Sequence, residues 1–160
     1  MTQALNILIL GGGNMAQAIL AGLKRSGLAA AIQLVEPAEA LHKTLTQTGG
    51  LASNALFTSL EDLLRRTPLT EFSWLVLAVK PQQAEEALLP ILNQTTQRGG
   101  MGMGMGIGMG DTMGMGNAAS SPALLSIAAG LSVQKLRDWS GLQAIVRCMP
   151  NTPAMVGQGI

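Results

Sequence analysis

Three consecutive glycines, Gly11-Gly12-Gly13, followed by Asn14-Met15-Ala16, form the stretch of this chain best suited to holding a charged ligand. An apolar run, Ile7 to Leu10, stops at them, and a helical pattern begins at Asn14, the layout of a strand, a tight turn and a helix N-terminus. Gly11 and Gly13 take the first two glycine positions of the G-x-G-x-x-G/A fingerprint, and Ala16 takes its third small position. In that pattern the first glycine lets the chain turn, the second admits a pyrophosphate to the backbone, and the third small residue lets helix and strand approach. Free N–H groups at the helix start, together with the helix dipole, favour the anion.

Glu36 follows the glycines at roughly the 20-residue interval where an acid accepts hydrogen bonds from the ribose 2′-OH of NAD. A 2′-phosphate there would meet a carboxylate, and no Arg or Lys follows before Lys43. NADH is therefore expected to be accepted at least as well as NADPH. NADPH stays open, because Lys43 is long and Glu36 could swing into solvent. Lys80, at a strand end before a proline, is the remaining charge of interest. His42 has no acidic or cysteine partner at metal spacing and reads as a solvated surface residue. Cys148 lies in an apolar run and reads as a small core residue. No Ser-His-Asp set, paired carboxylates or metal cluster points to hydrolysis, and no metal is expected.

Alternating elements must position these residues. A helix from about Gly13 to Ser26 carries Met15, Ala18, Ile19, Gly22 and Leu23 on one stripe and ends at Gly27. Ile32–Val35 is a second strand, Pro37 opens a helix with Leu41 and Leu45 inward, and Leu51–Ala55 is a weak third strand. Ser59 caps a short helix that buries Leu60, Leu63 and Leu64. Trp74–Val79 is a continuous apolar strand fit for the middle of a parallel sheet. A helix follows from Gln82 with Ala84, Ala87, Leu88, Ile91 and Leu92 at helical spacing, and Pro90 is expected to kink it or shorten its last turn. Ala123–Ala128, a helix capped by Ser132 with Val133, Leu136 and Trp139 inward, and a strand over Ala144–Met149 complete the order. The alternation predicts an α/β, Rossmann-like, doubly wound parallel sheet. One dinucleotide-binding domain over residues 1–160 is expected, interrupted at 95–121.

That interruption is rich in glycine and methionine, with nine and six between Gly99 and Asn117, mostly alternating. Glycine at every second position weakens a strand, so a flexible, dispensable insertion is expected. Capture of Cu(I) by clustered thioethers, or a methionine-rich contact surface, are the alternatives.

Hydrophobic residues make up 48% of the chain and charged residues 12%, the balance of a packed α/β protein rather than a disordered one. A net charge of +1 and an aromatic content of 2% give no case for nucleic acid or an anionic membrane. A lone cysteine excludes an intrachain disulfide, and no signal-peptide or transmembrane pattern stands out. A cytoplasmic protein is expected.

In open α/β sheets ligands bind beyond the carboxyl ends of the strands. Here those ends deliver Gly11–Met15, Glu36-Pro37, Ala78-Val79-Lys80-Pro81, Ala128-Ala129-Gly130 and Pro150–Pro153. Four of these stretches, Gly12-Gly13-Asn14-Met15-Ala16, Ala78-Val79-Lys80-Pro81-Gln82, Ser126-Ile127-Ala128-Ala129-Gly130 and Arg147-Cys148-Met149-Pro150-Asn151-Thr152-Pro153, resemble pyrroline-5-carboxylate reductase. The likeness runs from residue 5 to the C-terminus on both flanks of the insertion. It implies hydride transfer from NADPH or NADH to the imine of 1-pyrroline-5-carboxylate, giving L-proline. By the same resemblance Gly11, Gly12, Gly13, Asn14 and Met15 would face the pyrophosphate, and Val35, Glu36 and Pro37 the adenosine ribose. Ser59 would lie on the adenine side, and Ala78, Val79, Lys80 and Pro81 would line the cofactor groove. Ala128, Ala129 and Gly130 would reach the nicotinamide half, with Asn151 and Thr152 on the substrate side.

The family continues into a helical domain that dimerises and contacts the substrate, whereas this sequence stops at Ile160. Catalytic residues are therefore not assigned, and an oligomer of this chain alone is not expected. A reductase of that family and a dinucleotide-binding module without activity of its own remain two readings. A neighbouring family such as the prephenate or phosphogluconate dehydrogenases fits less well, because of Pro150-Asn151-Thr152-Pro153.

Overall fold

The structure, a computed structural model, describes residues 5–28, 30–47, 49–99 and 121–150. The Gly/Met tract from 100 to 120, and Asn151 and Thr152, lie outside the described residues. Among the described residues six strands alternate with five α-helices: β1 (Leu5–Leu10), α1 (Asn14–Ser26), β2 (Ala30–Val35), α2 (Glu39–Gln47), β3 (Leu56–Phe57), α3 (Leu60–Arg66), β4 (Trp74–Leu77), α4 (Ala84–Gly99), β5 (Ala123–Ser126), α5 (Val133–Ser140) and β6 (Ile145–Arg147). All pairings are parallel, in the order β3-β2-β1-β4-β5-β6. This is the doubly wound order, which reverses direction between β1 and β4.

The period of two along β1 sends its side chains into two cores. Leu8 and Leu10 join Leu63, Leu88 and Leu136 from α3, α4 and α5 on one face. Ile7 and Ile9 join Ala16, Leu20 and Leu45 from α1 and α2 on the other. A central parallel strand therefore needs apolar residues at every position, which is what Ile7 to Leu10 supply.

Local capping follows the side chains that can do it. Ser59 Oγ accepts the Asp62 N–H at 3.1 Å, and Ser132 Oγ accepts the Lys135 N–H at 3.1 Å. Gly27 ends α1 in the left-handed conformation at φ 66°.

Several expectations shift. The buried line of α1 is Ala16 and Leu20, with Ile19 and Leu23 partly buried, so the stripe is rotated from Met15 and Ala18 toward the small residue that lets α1 approach β1. Pro37 precedes α2 rather than opening it, because the chain bends at Pro37 before the helix begins at Glu39. The third strand lies at Leu56–Phe57, paired with Leu34 and Val35, while Ser53–Ala55 form a 3-10 turn. Helix α4 continues through Pro90 to Gly99, so residues 95–99 of the expected insertion are helical. Val133 is exposed and Trp139 only partly buried. Cys148 is exposed rather than in the core, because it follows β6, which among the described residues is an edge strand with a neighbour on one side.

Candidate functional site

The glycine turn stands where the strand order reverses. Gly11 has φ +97°, and a Cβ there would lie 2.8 Å from the Ala78 carbonyl oxygen, so both conformation and space require glycine. At Gly12 a Cβ would lie 2.7 Å from Leu45 Cδ1 and 3.2 Å from Glu36 Oε2. Gly13 differs from both. Its φ of −67° suits any residue, and a Cβ there would meet no heavy atom within 4 Å. Among the described residues nothing requires glycine at 13; a ligand pressed against the backbone would.

Gly13 is also the N-cap of α1, with no side-chain cap and no acid in the first turn. The first helical bond runs from Gln17 N–H to the Gly13 carbonyl at 3.0 Å, so the N–H groups of the first turn, including those of Asn14 and Met15, have no capping acceptor among the described residues. Gln17 Nε2 donates to the Gly12 carbonyl at 3.0 Å and braces the turn from the helix side.

Across the turn stands Glu36, at the carboxyl end of β2. Its N–H donates to the Phe57 carbonyl at 2.8 Å. Its carboxylate accepts two backbone N–H groups, Gly12 at 2.7 Å through Oε2 and Ala38 at 2.9 Å through Oε1. His42 Nε2 donates to the Glu36 carbonyl at 2.7 Å, so His42 is half-buried and structural rather than a solvated surface residue. The side chain thus lies folded against the glycine turn, at distances typical of charge-assisted bonds.

A cleft of about 540 Å³ opens beside it, within the size range of small-molecule sites. Its floor is Leu10, Gly11 and Val79, at the ends of β1 and β4. One wall runs from Val35 through Glu36 and Pro37 to Ala38, and another from Thr58 to Glu61. The third wall is one face of α4 and of the 3-10 turn that precedes it, Pro81–Gln83, carrying Gln83, Glu86, Ala87 and Pro90.

Of the residues singled out by sequence, Gly11, Val35, Glu36, Pro37, Ser59 and Val79 line this cleft. Gly12 reaches it through Glu36, and Gly13, Asn14 and Met15 continue the turn into α1. Ala78 supports the floor, its N–H donating to the Leu10 carbonyl at 2.8 Å and its own carbonyl backing Gly11. Lys80 is exposed and caps the 3-10 turn over Pro81–Gln83, and neither Lys80 nor Pro81 is a wall residue. Ala128, Ala129 and Gly130 follow β5 at the same end of the sheet but outside the cleft, with Ala128 buried in the core.

Sequence reasoning missed Thr58, Glu61 and the α4 face. The spacing of Gln83, Glu86, Ala87 and Pro90 is a usable signal, being the flank of the helix that adjoins the apolar stripe at Ala87, nearest the strand end. Among the described residues no group of three His, Cys, Asp or Glu side chains could hold a metal ion. No helix among them is long and apolar enough to cross a membrane.

The parallel sheet, its reversal point and the glycine turn feeding a helix N-terminus define a Rossmann-like doubly wound fold. Residues 6–99 match the family described as NADP oxidoreductase, coenzyme F420-dependent, and the chain belongs to that family. It is 34% identical over 160 residues to a pyrroline-5-carboxylate reductase of Pasteurella multocida, covering 99% of this chain and 48% of that protein. A pyrroline-5-carboxylate reductase of Pisum sativum is 27% identical over 151 residues, covering 93% of this chain and 44% of the relative. The chain spans about half the length of the curated relatives it matches. A solved pyrroline-5-carboxylate reductase from Coxiella burnetii superposes with a TM-score of 0.69 at 24% identity, over 98% of this chain and 48% of that one. The prephenate dehydrogenase from A. aeolicus, solved with hydroxyphenyl propionate and NAD+, superposes with a TM-score of 0.61 at 15% identity, over 91% of this chain and 41% of that one. These two likenesses bear on the fold.

Proposed function

We propose that this chain is the dinucleotide-binding part of a reductase that delivers hydride from a nicotinamide cofactor to the ring C=N of 1-pyrroline-5-carboxylate, giving L-proline. The observation that carries the reading is Gly13, a glycine with no internal cause placed on an uncapped helix N-terminus at the reversal of the strand order. The similarity to pyrroline-5-carboxylate reductases over almost the whole chain supplies the substrate.

In this reading the N–H groups of Gly13, Asn14 and Met15 hold the pyrophosphate, and the open space over Gly13 admits it. Glu36 and Pro37 border the adenosine ribose, and Ser59 stands on the adenine side of the cleft. Val79 gives the floor an apolar surface for the flat groups of the cofactor, with Lys80 and Pro81 at the groove's rim. By the family likeness Ala128 to Gly130 are the nicotinamide-side residues, and Asn151 and Thr152 the substrate-side ones. The bound cofactor supplies hydride to the imine carbon, and the nitrogen carries the proton that makes the secondary amine. The protein's part is to orient the two rings and keep water from between them. The cytoplasm, where reduced nicotinamide cofactors are available, is the compartment this reading implies.

A second reading is that these residues bind the dinucleotide without turnover of their own. Fluorescence titration of NADH and NADPH into the 160-residue chain, beside an assay with pyrroline-5-carboxylate, tests both. Saturable binding with turnover far below that of a full-length relative is expected. Binding of neither dinucleotide would refute the dinucleotide site, and turnover close to the relative's would show that these residues suffice for catalysis.

A further inference from the structure

The family name points to NADP, and the cleft walls do not fit its extra phosphate. Three carboxylates, Glu36, Glu61 and Glu86, line the cleft, and no Lys or Arg is among its described wall residues. The cations near by are engaged or lie outside its walls. His42 donates to the Glu36 carbonyl, Arg65 pairs with Asp62 at 2.8 Å, and Arg66 sits 5.7 Å over the Phe57 ring. Lys43 on α2 and Lys80 after β4 are exposed, and neither is a wall residue. A 2′-phosphate entering here would add close to two negative charges beside the half-buried Glu36, with the exposed Glu61 and Glu86 adding a more screened repulsion.

Glu36 is the carboxylate that meets the ribose. A carboxylate has about four acceptor positions; two are taken by the Gly12 and Ala38 N–H groups, which leaves capacity for ribose hydroxyls. Those same bonds hold it in place. Swinging into solvent to admit a phosphate would forfeit both, and Gly12 N–H would lose its acceptor inside the glycine turn. The side chain is therefore a fixed acceptor for a 2′-OH and a fixed repulsion for a 2′-phosphate.

Resting on the dinucleotide reading above, we propose that this cleft selects the unphosphorylated dinucleotide, NADH over NADPH, and that Glu36 sets the choice. The readout is a ratio of affinities rather than an activity. The 160-residue chain is titrated with NADH and NADPH by nicotinamide fluorescence, and with 5′-AMP against 2′,5′-ADP by calorimetry, two probes that differ only in the 2′-phosphate. NADH is expected to bind tighter than NADPH by about tenfold or more, with the same order for the adenosine probes. Glu36→Gln keeps the shape and removes the charge, and should bring the ratio to within about threefold of unity, chiefly by improving NADPH. Glu36→Ser, which also makes room, should abolish or reverse the preference. Circular dichroism shows whether each variant is folded, and the ratio is read only within one folded protein. Equal or tighter binding of NADPH by the parent, or a parental ratio in both variants, overturns the proposal while leaving the dinucleotide site standing. If neither dinucleotide nor either probe binds, the underlying reading falls, and this one with it.

Discussion

Replacing Gly13 by valine separates binding from folding. An added Cβ at 13 meets no heavy atom within 4 Å, and the backbone at φ −67° is ordinary for any residue. The stability cost is then limited to exchanging glycine for a poor N-cap residue, about 1 kcal/mol or less, which lowers Tm by about 2–4 °C in a chain of this size. Binding should suffer far more. The valine side chain fills the space a pyrophosphate needs, and loss of two charge-assisted N–H contacts at about 1.5–3 kcal/mol each amounts to about 3–6 kcal/mol. That weakens the dissociation constant by about a hundredfold or more. Gly11→Val is the counterpart. There a β-branched residue is forced to φ +97°, and its Cβ lies 2.8 Å from the Ala78 oxygen. Backbone strain of about 1–3 kcal/mol plus that overlap should lower Tm clearly, by about 6 °C or more. Thermal unfolding by circular dichroism and NADH titration by fluorescence give the two axes. Gly13→Val binding NADH within about threefold of the parent, or Gly11→Val melting at the parental temperature, would refute the roles assigned to these glycines.

Ser59→Ala removes the acceptor for the Asp62 N–H and should cost about 1 kcal/mol, with Ser59→Asp restoring the parental melting temperature. Leu8→Ala opens a cavity in the central strand at a fully buried position and should cost about 2–5 kcal/mol. Val146→Ala, on the exposed edge strand, should stay within about 0.5 kcal/mol of the parent; chemical denaturation measures both. His42→Ala strips the donor from the Glu36 carbonyl and should cost about 0.5–1.5 kcal/mol. It should also weaken NADH binding a few-fold, since Glu36 is then held less firmly, and calorimetric titration reads that change.

The parts of the site that show in the sequence are those whose chemistry is local. A glycine triplet between an apolar run and a helical pattern marks its own turn, and Ser59 and Ser132 mark helix starts because the cap bond spans three residues. Ala78–Pro81 and Ala128–Gly130 show in the sequence as strand ends, where ligands of open α/β sheets bind, and the family likeness gives each stretch its role. What escaped depends on partners distant in the chain. The two-residue strand Leu56–Phe57 exists because β2 offers it a ladder, and nothing in its own residues outweighs Leu51–Ala55. The α4 face enters the cleft because β4 lies beside β1, a fact of strand order. Cys148 is exposed for the same kind of reason, at the sheet's edge. His42 acts across a bend in the chain on a carbonyl six positions earlier, a contact with no periodic signature.

The most direct test of the dinucleotide site is a map of backbone amide shifts as NADH is added to the isotope-labelled chain, which at 16.6 kDa is well suited to solution NMR. The largest changes should fall on Gly12 to Ala16 and on Glu36 to Ala38, with smaller ones at Ser59 and Glu86. Saturable binding with those amides unmoved, or shifts centred on the β6 edge, would contradict it.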